Sequence, residues 1–234
     1  MSSTSYSGNR NLQTVINAKN YNDRLAVLVS CFADHALRVL DAGSGIGTFA
    51  KILRETKAFD GKDIVCLEPD PDQAVISCDS GLRTEIDIAA LEDGSFDYIY
   101  SLNVIEHIED DATAMREWAT KLKPGGVMFL YVPAHQFLMS SMDTMVGHYR
   151  RYTRKTLTHA VERAGLAIMS PARYADSLGF FVTLVYKFTV KDASLSSISV
   201  KLFDAIFPVN RLLDPLFSRL FGKNVWIVAQ KPMA

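Results

Sequence analysis

The chain has 234 residues, 48% of them hydrophobic, which fits one globular domain with a full core. Its formal net charge is −1 and its one basic cluster, at residues 150–155, is short, so the sequence predicts no nucleic-acid partner. The three cysteines lack CxxC spacing, so we expect neither zinc nor any other metal centre. The polar first twenty residues carry no apolar signal core, and we expect a cytoplasmic protein.

Apolar runs alternate with helical patterns along the chain and predict a doubly wound, mostly parallel α/β sheet. The predicted strands are Arg38–Asp41, Asp63–Glu68, Arg83–Ile88, Phe96–Leu102, Val127–Val132, 166–174 and Val225–Gln230. The predicted helices are 21–35, Thr48–Thr56, Asp72–Ser80, Asp110–Leu122 and Thr153–Ala164. We expect residues 1–36 to form an N-terminal arm and helix, and residues 37–234 to form the main domain.

Two connections, 133–152 and 175–223, exceed ordinary loops and are expected to be helical lid or acceptor-binding segments. Leu178–Val190 is too short to span a bilayer and predicts a core or lid helix, or a surface that touches lipid. The expected apolar inner face of the lid comprises Phe180, Phe181, Tyr186, Phe203 and Phe207. The spacing of Met139, Met142 and Met145 fits either a helical core stripe or an adaptable surface for an apolar ligand.

The glycine loop DAGSGIG, residues 41–47, follows the first predicted strand. Its three glycines allow a sharp turn, and a side chain there is expected to intrude on a bound nucleoside. No Lys follows the glycines, as a P-loop requires, and Thr48 stands where a dinucleotide fingerprint has glycine. Glu68 ends the second strand and could accept hydrogen bonds from both hydroxyls of a ribose, while Asp87 could accept one from an adenine amino group. The loop and its companions therefore predict a nucleoside site.

Five segments, VLDAGSGIG, CLEPD, TEIDIAAL, SFDYIYSLNVIEHIEDD and LKPGGVMFLYVP, resemble in order the motifs of class I S-adenosylmethionine-dependent methyltransferases. The resemblance covers residues 37–133, and the later run DTMVGHYRRYTRKTL resembles a bacterial subgroup of that family. It implies a seven-stranded sheet with an antiparallel last strand, and S-adenosyl-L-methionine as the cofactor, released as S-adenosyl-L-homocysteine. The cofactor-binding residues that it implies are Asp41, Gly43, Ser44, Gly45, Glu68, Pro69, Asp87, Ile88, Leu102, Asn103 and His107.

A hydroxyl or amine acceptor loses a proton when it is methylated, which calls for a base that is most often histidine. We expect His148, on the segment that would cover the pocket, to be this base, with His107 as the second candidate. Tyr149 could orient the acceptor or contact the sulfonium, or simply pack. Arg150 and Arg151 could bind an acceptor carboxylate or phosphate, or form a solvated basic turn.

The sequence thus predicts methyl transfer to an oxygen or nitrogen atom of a small molecule with an apolar body, by a monomer or homodimer. One alternative is a protein- or nucleic-acid-directed methyltransferase. The tetrapeptide expected of amino methylation of nucleic-acid bases is absent, because the fourth strand leads into SLNVIEH. A second alternative is a non-catalytic cofactor-binding module, against which the intact loop and acidic companions argue.

Overall fold

The computed structural model describes residues 18–189 and 203–233, which form an α/β fold around one mixed sheet. The strands are β1 Arg38–Ala42, β2 Asp63–Leu67, β3 Arg83–Glu85, β4 Phe96–Leu102, β5 Leu122–Pro133, β6 Ala167–Ala175 and β7 Asn224–Gln230. Their order across the sheet is β3-β2-β1-β4-β5-β7-β6. All pairs are parallel except those that β7 makes with β5 and β6. The predicted seven-stranded sheet with its antiparallel last strand is confirmed.

Eight helices accompany the sheet in the described residues. They are α1 Lys19–Ser30, α2 Thr48–Arg54, α3 Pro71–Asp79, α4 Asp111–Lys121, α5 Ser141–Met145, α6 Arg154–Arg163, α7 Ser177–Thr189 and α8 Asn210–Phe217, and residues 203–206 are also helical. The core lies in two layers, one on each face of the sheet. Apolar side chains of α4 and α6 pack on one face, and those of α1 and α2 pack on the other. This burial on both faces is why the central strands are continuously apolar.

Three predicted boundaries were wrong for local reasons. The third strand ends at Glu85, because the Asp87 carboxylate accepts a hydrogen bond from the Ala89 N–H (2.9 Å) and begins a 3₁₀ turn. The fifth strand begins five residues earlier than predicted, at Leu122. The register between β4 and β5 shifts between Phe96 and Tyr98, so the predicted glycine turn lies inside β5 as an irregularity of the strand. Gly125 in this turn has a φ of +76°. The first helix ends at Ser30, before the predicted residue 35.

The connection after β6 contains the predicted lid helix, α7, apart from Val190, which lies outside the described residues. Side chains from α8 hold the start of α7: Asp214 accepts from the Ser177 N–H at 2.9 Å, and Asn210 accepts from the Leu178 N–H at 2.8 Å. Phe207, predicted to line the lid, is buried and packs edge-on against Tyr21 of α1, with ring centroids 5.4 Å apart. No helix in the described part of the chain is long and apolar enough to cross a membrane.

Candidate functional site

The carboxyl ends of four parallel strands meet at one edge of the sheet. β1 lies between β2 and β4, and β3 pairs with β2. The residues that follow these strands therefore share this edge, which is where open α/β sheets bind ligands. The predicted cofactor residues lie in or directly after these four strands.

The glycine loop turns sharply between β1 and α2. Gly43, Gly45 and Gly47 all have positive φ, at 81°, 56° and 75°. A Cβ at Gly43 would lie 2.5 Å from Val104 Cγ1, and one at Gly47 would collide with Leu82. At these two positions a side chain would strike the protein itself, and the expectation that it would intrude on a bound nucleoside stays a prediction. Around Gly45 a Cβ would meet only the Gln73 Oε1, at 3.2 Å, so the backbone here can be approached closely.

Glu68 is held against the glycine loop. Its carboxylate accepts hydrogen bonds from the Gly45 N–H at 2.7 Å and from the Asp70 N–H at 2.9 Å. Burial raises the pKa of Glu68, and these two donors act in the opposite direction. Each carboxylate oxygen can accept more than one hydrogen bond, so the fixed carboxylate can also accept from ribose hydroxyls.

Asp41, near the end of β1, is buried with 3% of its surface exposed. Its Oδ2 has no hydrogen-bond partner among the described residues, and the same holds for the buried Ser44 Oγ. Burial raises the pKa of Asp41 to about 7, and the nearby Glu68 carboxylate adds to this shift. Buried polar atoms are normally satisfied, so these two atoms are suited to a polar or cationic ligand part such as the methionine moiety.

The other predicted cofactor residues lie at the same edge with different exposure. Asp87 and Pro69 are exposed, and Ile88 is half-buried. Leu102 and Asn103 are half-buried at the end of β4. Asn103 has a φ of +55°, and its N–H donates to the Tyr131 carbonyl at 2.7 Å.

Tyr21 of α1 was missed by sequence reasoning. Burial raises the pKa of its hydroxyl to about 12, and hydrogen-bonding contacts with Tyr131 and Asn103 act in the opposite direction. The contact with Asn103 places this hydroxyl beside the predicted sulfonium-lining residue. In the sequence, only the apolar residues of α1 form a pattern, and that pattern predicted a helix that packs on the core.

The two histidines that were predicted as candidate bases lie side by side in the structure. His107 and His148 form an edge-to-face pair with ring centroids 4.5 Å apart. The His148 Nδ1 lies 2.8 Å from the Asp143 Oδ1, and its Nε2 lies 4.0 Å from the Glu106 Oε1. Burial lowers the pKa of His107 to about 4, and the neighbouring His148 adds to this effect. Sequence reasoning missed both Asp143 and Glu106, which the fold places against this pair.

Asp143 is the buried acceptor that organises the turn after α5. Besides His148, it accepts hydrogen bonds from the Arg151 Nε at 2.8 Å and from the Ser140 N–H at 2.8 Å. Burial would raise its pKa, but the hydrogen bonds of His148 and Arg151 hold the pKa well below its ordinary value. Arg151 is therefore committed to an internal ion pair, and its expected role in binding an acceptor anion is not favoured.

The remaining candidates lie on the outside of this turn. Tyr149 is 53% exposed, with the Arg150 guanidinium 5.9 Å from its ring centre. Arg150 pairs with Asp111 at 3.1 Å. None of the three spaced methionines, Met139, Met142 and Met145, is buried, so the interpretation as a core stripe was wrong.

Comparison with known proteins identifies the fold and the family. The "Methyltransferase domain" family matches residues 15–170. A ubiquinone biosynthesis O-methyltransferase of Xanthomonas euvesicatoria pv. vesicatoria (strain 85-10) is 33% identical over 103 residues, which are 40% of this chain and 41% of that protein. The chain thus matches about two fifths of the length of this curated relative.

Solved structures show the same fold over most of the chain. The complex of a Haloferax volcanii methyltransferase activator, Trm112, with a putative methyltransferase gives a TM-score of 0.62 at 19% identity, covering 92% of this chain and 93% of that chain. Haemonchus contortus phosphoethanolamine N-methyltransferase 2, in complex with S-adenosyl-L-methionine, gives 0.60 at 19% identity, covering 91% and 53%. The family match shows that the chain belongs to the methyltransferase domain family, and the solved structures show that it has the fold of class I S-adenosylmethionine-dependent methyltransferases.

Proposed function

We propose that this enzyme methylates an oxygen atom of a small molecule with an apolar body. The carrying observation is the Asp143–His148 pair. The fold brings this pair against Glu106, which lies three residues beyond the predicted sulfonium-lining Asn103. A carboxylate that accepts from Nδ1 fixes the ring and leaves Nε2 to act on an acceptor. The matched O-methyltransferase of ubiquinone biosynthesis supports oxygen over nitrogen as the acceptor atom.

His148 is the better of the two candidate bases. Its ring is oriented by Asp143, whereas burial keeps the pKa of His107 at about 4, so His107 is a poor proton acceptor near neutrality. Tyr149 stays a candidate for orienting the acceptor from the rim. The cofactor would be held by Asp41, the loop backbone, Glu68 and the residues after β3 and β4.

The apolar acceptor body is supported by α7, whose Phe181, Val182 and Val185 are exposed large hydrophobic residues. We propose that segments 133–152 and 175–223 cover this acceptor, within a main domain of residues 37–234. A nucleic-acid substrate is disfavoured, because Arg150 and Arg151 are paired internally with Asp111 and Asp143. The cytoplasmic location, the membership of the GHYRRYT subgroup and the monomeric or homodimeric state stay predictions.

Calorimetry with S-adenosyl-L-homocysteine and an acceptor screen test this proposal. The screen pairs small phenols with and without apolar tails, with amines as the competing class, and mass spectrometry reads the added methyl group. We expect binding of S-adenosyl-L-homocysteine and methylation of the tailed phenols. No binding of either cofactor form, or transfer to amines alone, would overturn the proposal.

His148→Ala tests the base. Removing a general base typically costs about 10²–10⁴-fold in rate, so kcat should fall within this range while the affinity for S-adenosyl-L-homocysteine stays within about twofold. His159→Ala is the matched control, because His159 is exposed on α6, away from the site. Unchanged turnover in His148→Ala would reject His148 as the base.

A further inference from the structure

Three potential metal ligands converge next to the proposed acceptor position. Glu106 and His107 lie in the 3₁₀ turn Ile105–His107 after β4, and His148 follows α5. Each offers one ligand atom, and these atoms all lie within 4.8 Å of one another. Within residues 18–189 and 203–233, no other group of three or more His, Cys, Asp or Glu side chains meets this condition.

Glu106 is the most unusual member of this group. It is 0% exposed, and neither of its carboxylate oxygens has a hydrogen-bond partner in the described residues. A buried charge is costly unless it is paired or coordinates a metal. Arg151 is the nearby cation that acts on Glu106, but its guanidinium is bonded to Asp143.

His148 is held in the manner of a metal ligand. Histidines that bind metals usually donate their other ring N–H to a carboxylate, which fixes the tautomer and the ring orientation. Asp143 supplies this carboxylate at 2.8 Å from Nδ1, so that Nε2 is turned towards Glu106. Arg151 and Ser140 hold Asp143 in turn, so the support extends beyond the ligand itself.

We propose that Glu106, His107 and His148 bind a divalent first-row transition cation such as Zn²⁺, Mn²⁺ or Co²⁺. Two imidazoles and one carboxylate suit these ions, whereas Mg²⁺ prefers oxygen ligands. Three protein ligands leave coordination positions open, as in catalytic rather than structural sites. The positions 106, 107 and 148 match no metal-binding spacing, which is why the sequence predicted no metal centre.

The catalytic consequence of this site rests on the proposed function. An acceptor hydroxyl bound to the cation would lose its proton to solvent more easily, because a divalent ion stabilises the resulting oxyanion. An oxygen lone pair would then form the bond to the methyl carbon, and the carbon–sulfur bond would break with its electron pair kept by sulfur. While the cation is bound, the His148 Nε2 would be a ligand and could not take the acceptor proton. The ion would instead promote loss of that proton by stabilising the acceptor oxyanion.

Titration of the 234-residue chain, first stripped of metal with a chelator, with CoCl₂ tests the site without any acceptor. We expect visible absorption bands of protein-bound Co²⁺ that saturate at one equivalent and are displaced by ZnCl₂. His148→Ala and Glu106→Gln should weaken binding at least about tenfold, and Asp143→Asn should weaken it by about 10–100-fold through loss of ligand orientation. His135→Ala is the control, since His135 is also a half-buried histidine but stacks on Tyr174, with centroids 4.5 Å apart.

Circular dichroism separates loss of the site from loss of the fold. If Glu106→Gln does not fold, the partly exposed His148 carries the test. The proposal is overturned if the wild type binds neither Co²⁺ nor Zn²⁺ below about 1 mM, or if His148→Ala binds as the wild type does. Calorimetry with S-adenosyl-L-homocysteine runs in parallel: cofactor binding without Co²⁺ binding rejects the cation site alone, and Co²⁺ binding without cofactor binding rejects the proposed function alone.

Discussion

Asp41→Asn should make the free energy of unfolding of the cofactor-free protein depend less on pH. In the folded protein, burial raises the pKa of Asp41 from its ordinary value of 3.8 to about 7. The unfolded state therefore ionises first as pH rises, and the folded state loses stability between about pH 4 and pH 7, after which the loss levels off. At 1.36 kcal/mol for each pH unit, the full effect is roughly 4 kcal/mol. The amide cannot ionise, so the variant lacks this loss.

The assay is urea unfolding of both proteins at several pH values between 4.5 and 8.5. The difference in the free energy of unfolding, variant minus wild type, should grow by a few kcal/mol across this range. Asp97→Asn is the control: partial burial is outweighed by Lys123 and two backbone N–H groups, which hold the pKa of Asp97 below its ordinary value. Its difference from the wild type should stay constant above pH 5. A difference for Asp41→Asn that is flat within about 1 kcal/mol would refute the reasoning.

Three further variants test the glycine loop, the Glu68 carboxylate and the anchoring of the start of α1. Gly43→Ala places a Cβ 2.5 Å from Val104 at a φ of +81°, so we expect a loss of about 1–3 kcal/mol in urea unfolding, partly recovered by adding Val104→Ala; equal stability would contradict the clash. Glu68→Gln keeps the shape but removes the charge, and calorimetry should show S-adenosyl-L-homocysteine binding at least about tenfold weaker, because hydrogen bonds to charged groups contribute about 1.5–3 kcal/mol. Asp204→Ala removes the carboxylate that accepts from the first backbone N–H groups of α1, at 3.2 and 3.0 Å, and should cost about 1 kcal/mol with faster amide exchange in α1, whereas Asp23→Ala on the exposed face should not.

The sheet and its ligand edge could be predicted from sequence because their signals are local. β1 and β4 read as short apolar runs, and the glycines at 43, 45 and 47 mark a turn that only positive φ angles allow. Once the strands are parallel, their carboxyl ends must share one edge, which brings the loop and Glu68 together. The hydrogen bond from the Gly45 N–H to Glu68 agrees with this expectation.

The histidine cluster could only be predicted in part, because it depends on contacts between distant segments. Glu106 and His148 are 42 positions apart, and no periodicity links them. Asp143 was invisible for a different reason: its partners, 5 and 8 residues later, lie beyond a short helix in an irregular turn. Tyr21 and Phe207 likewise meet across 186 positions of sequence, so the packing of Phe207 under α1 had no local signal.

The pairing of Ala175 with Asn224 has a consequence for how the proposed acceptor specificity could change. These residues face each other at adjacent ends of the antiparallel strands β6 and β7, and the Lys223 N–H donates to the Asp176 carbonyl at 3.0 Å. The 48 residues between them, 176–223, thus leave and re-enter the sheet at one point. The glycine loop on β1 lies outside this segment. Under the proposed function, the acceptor-binding segment could therefore change while the proposed cofactor site stays the same. A replacement would still have to supply a carboxylate where Asp204 meets the start of α1 and an aromatic ring where Phe207 packs on Tyr21.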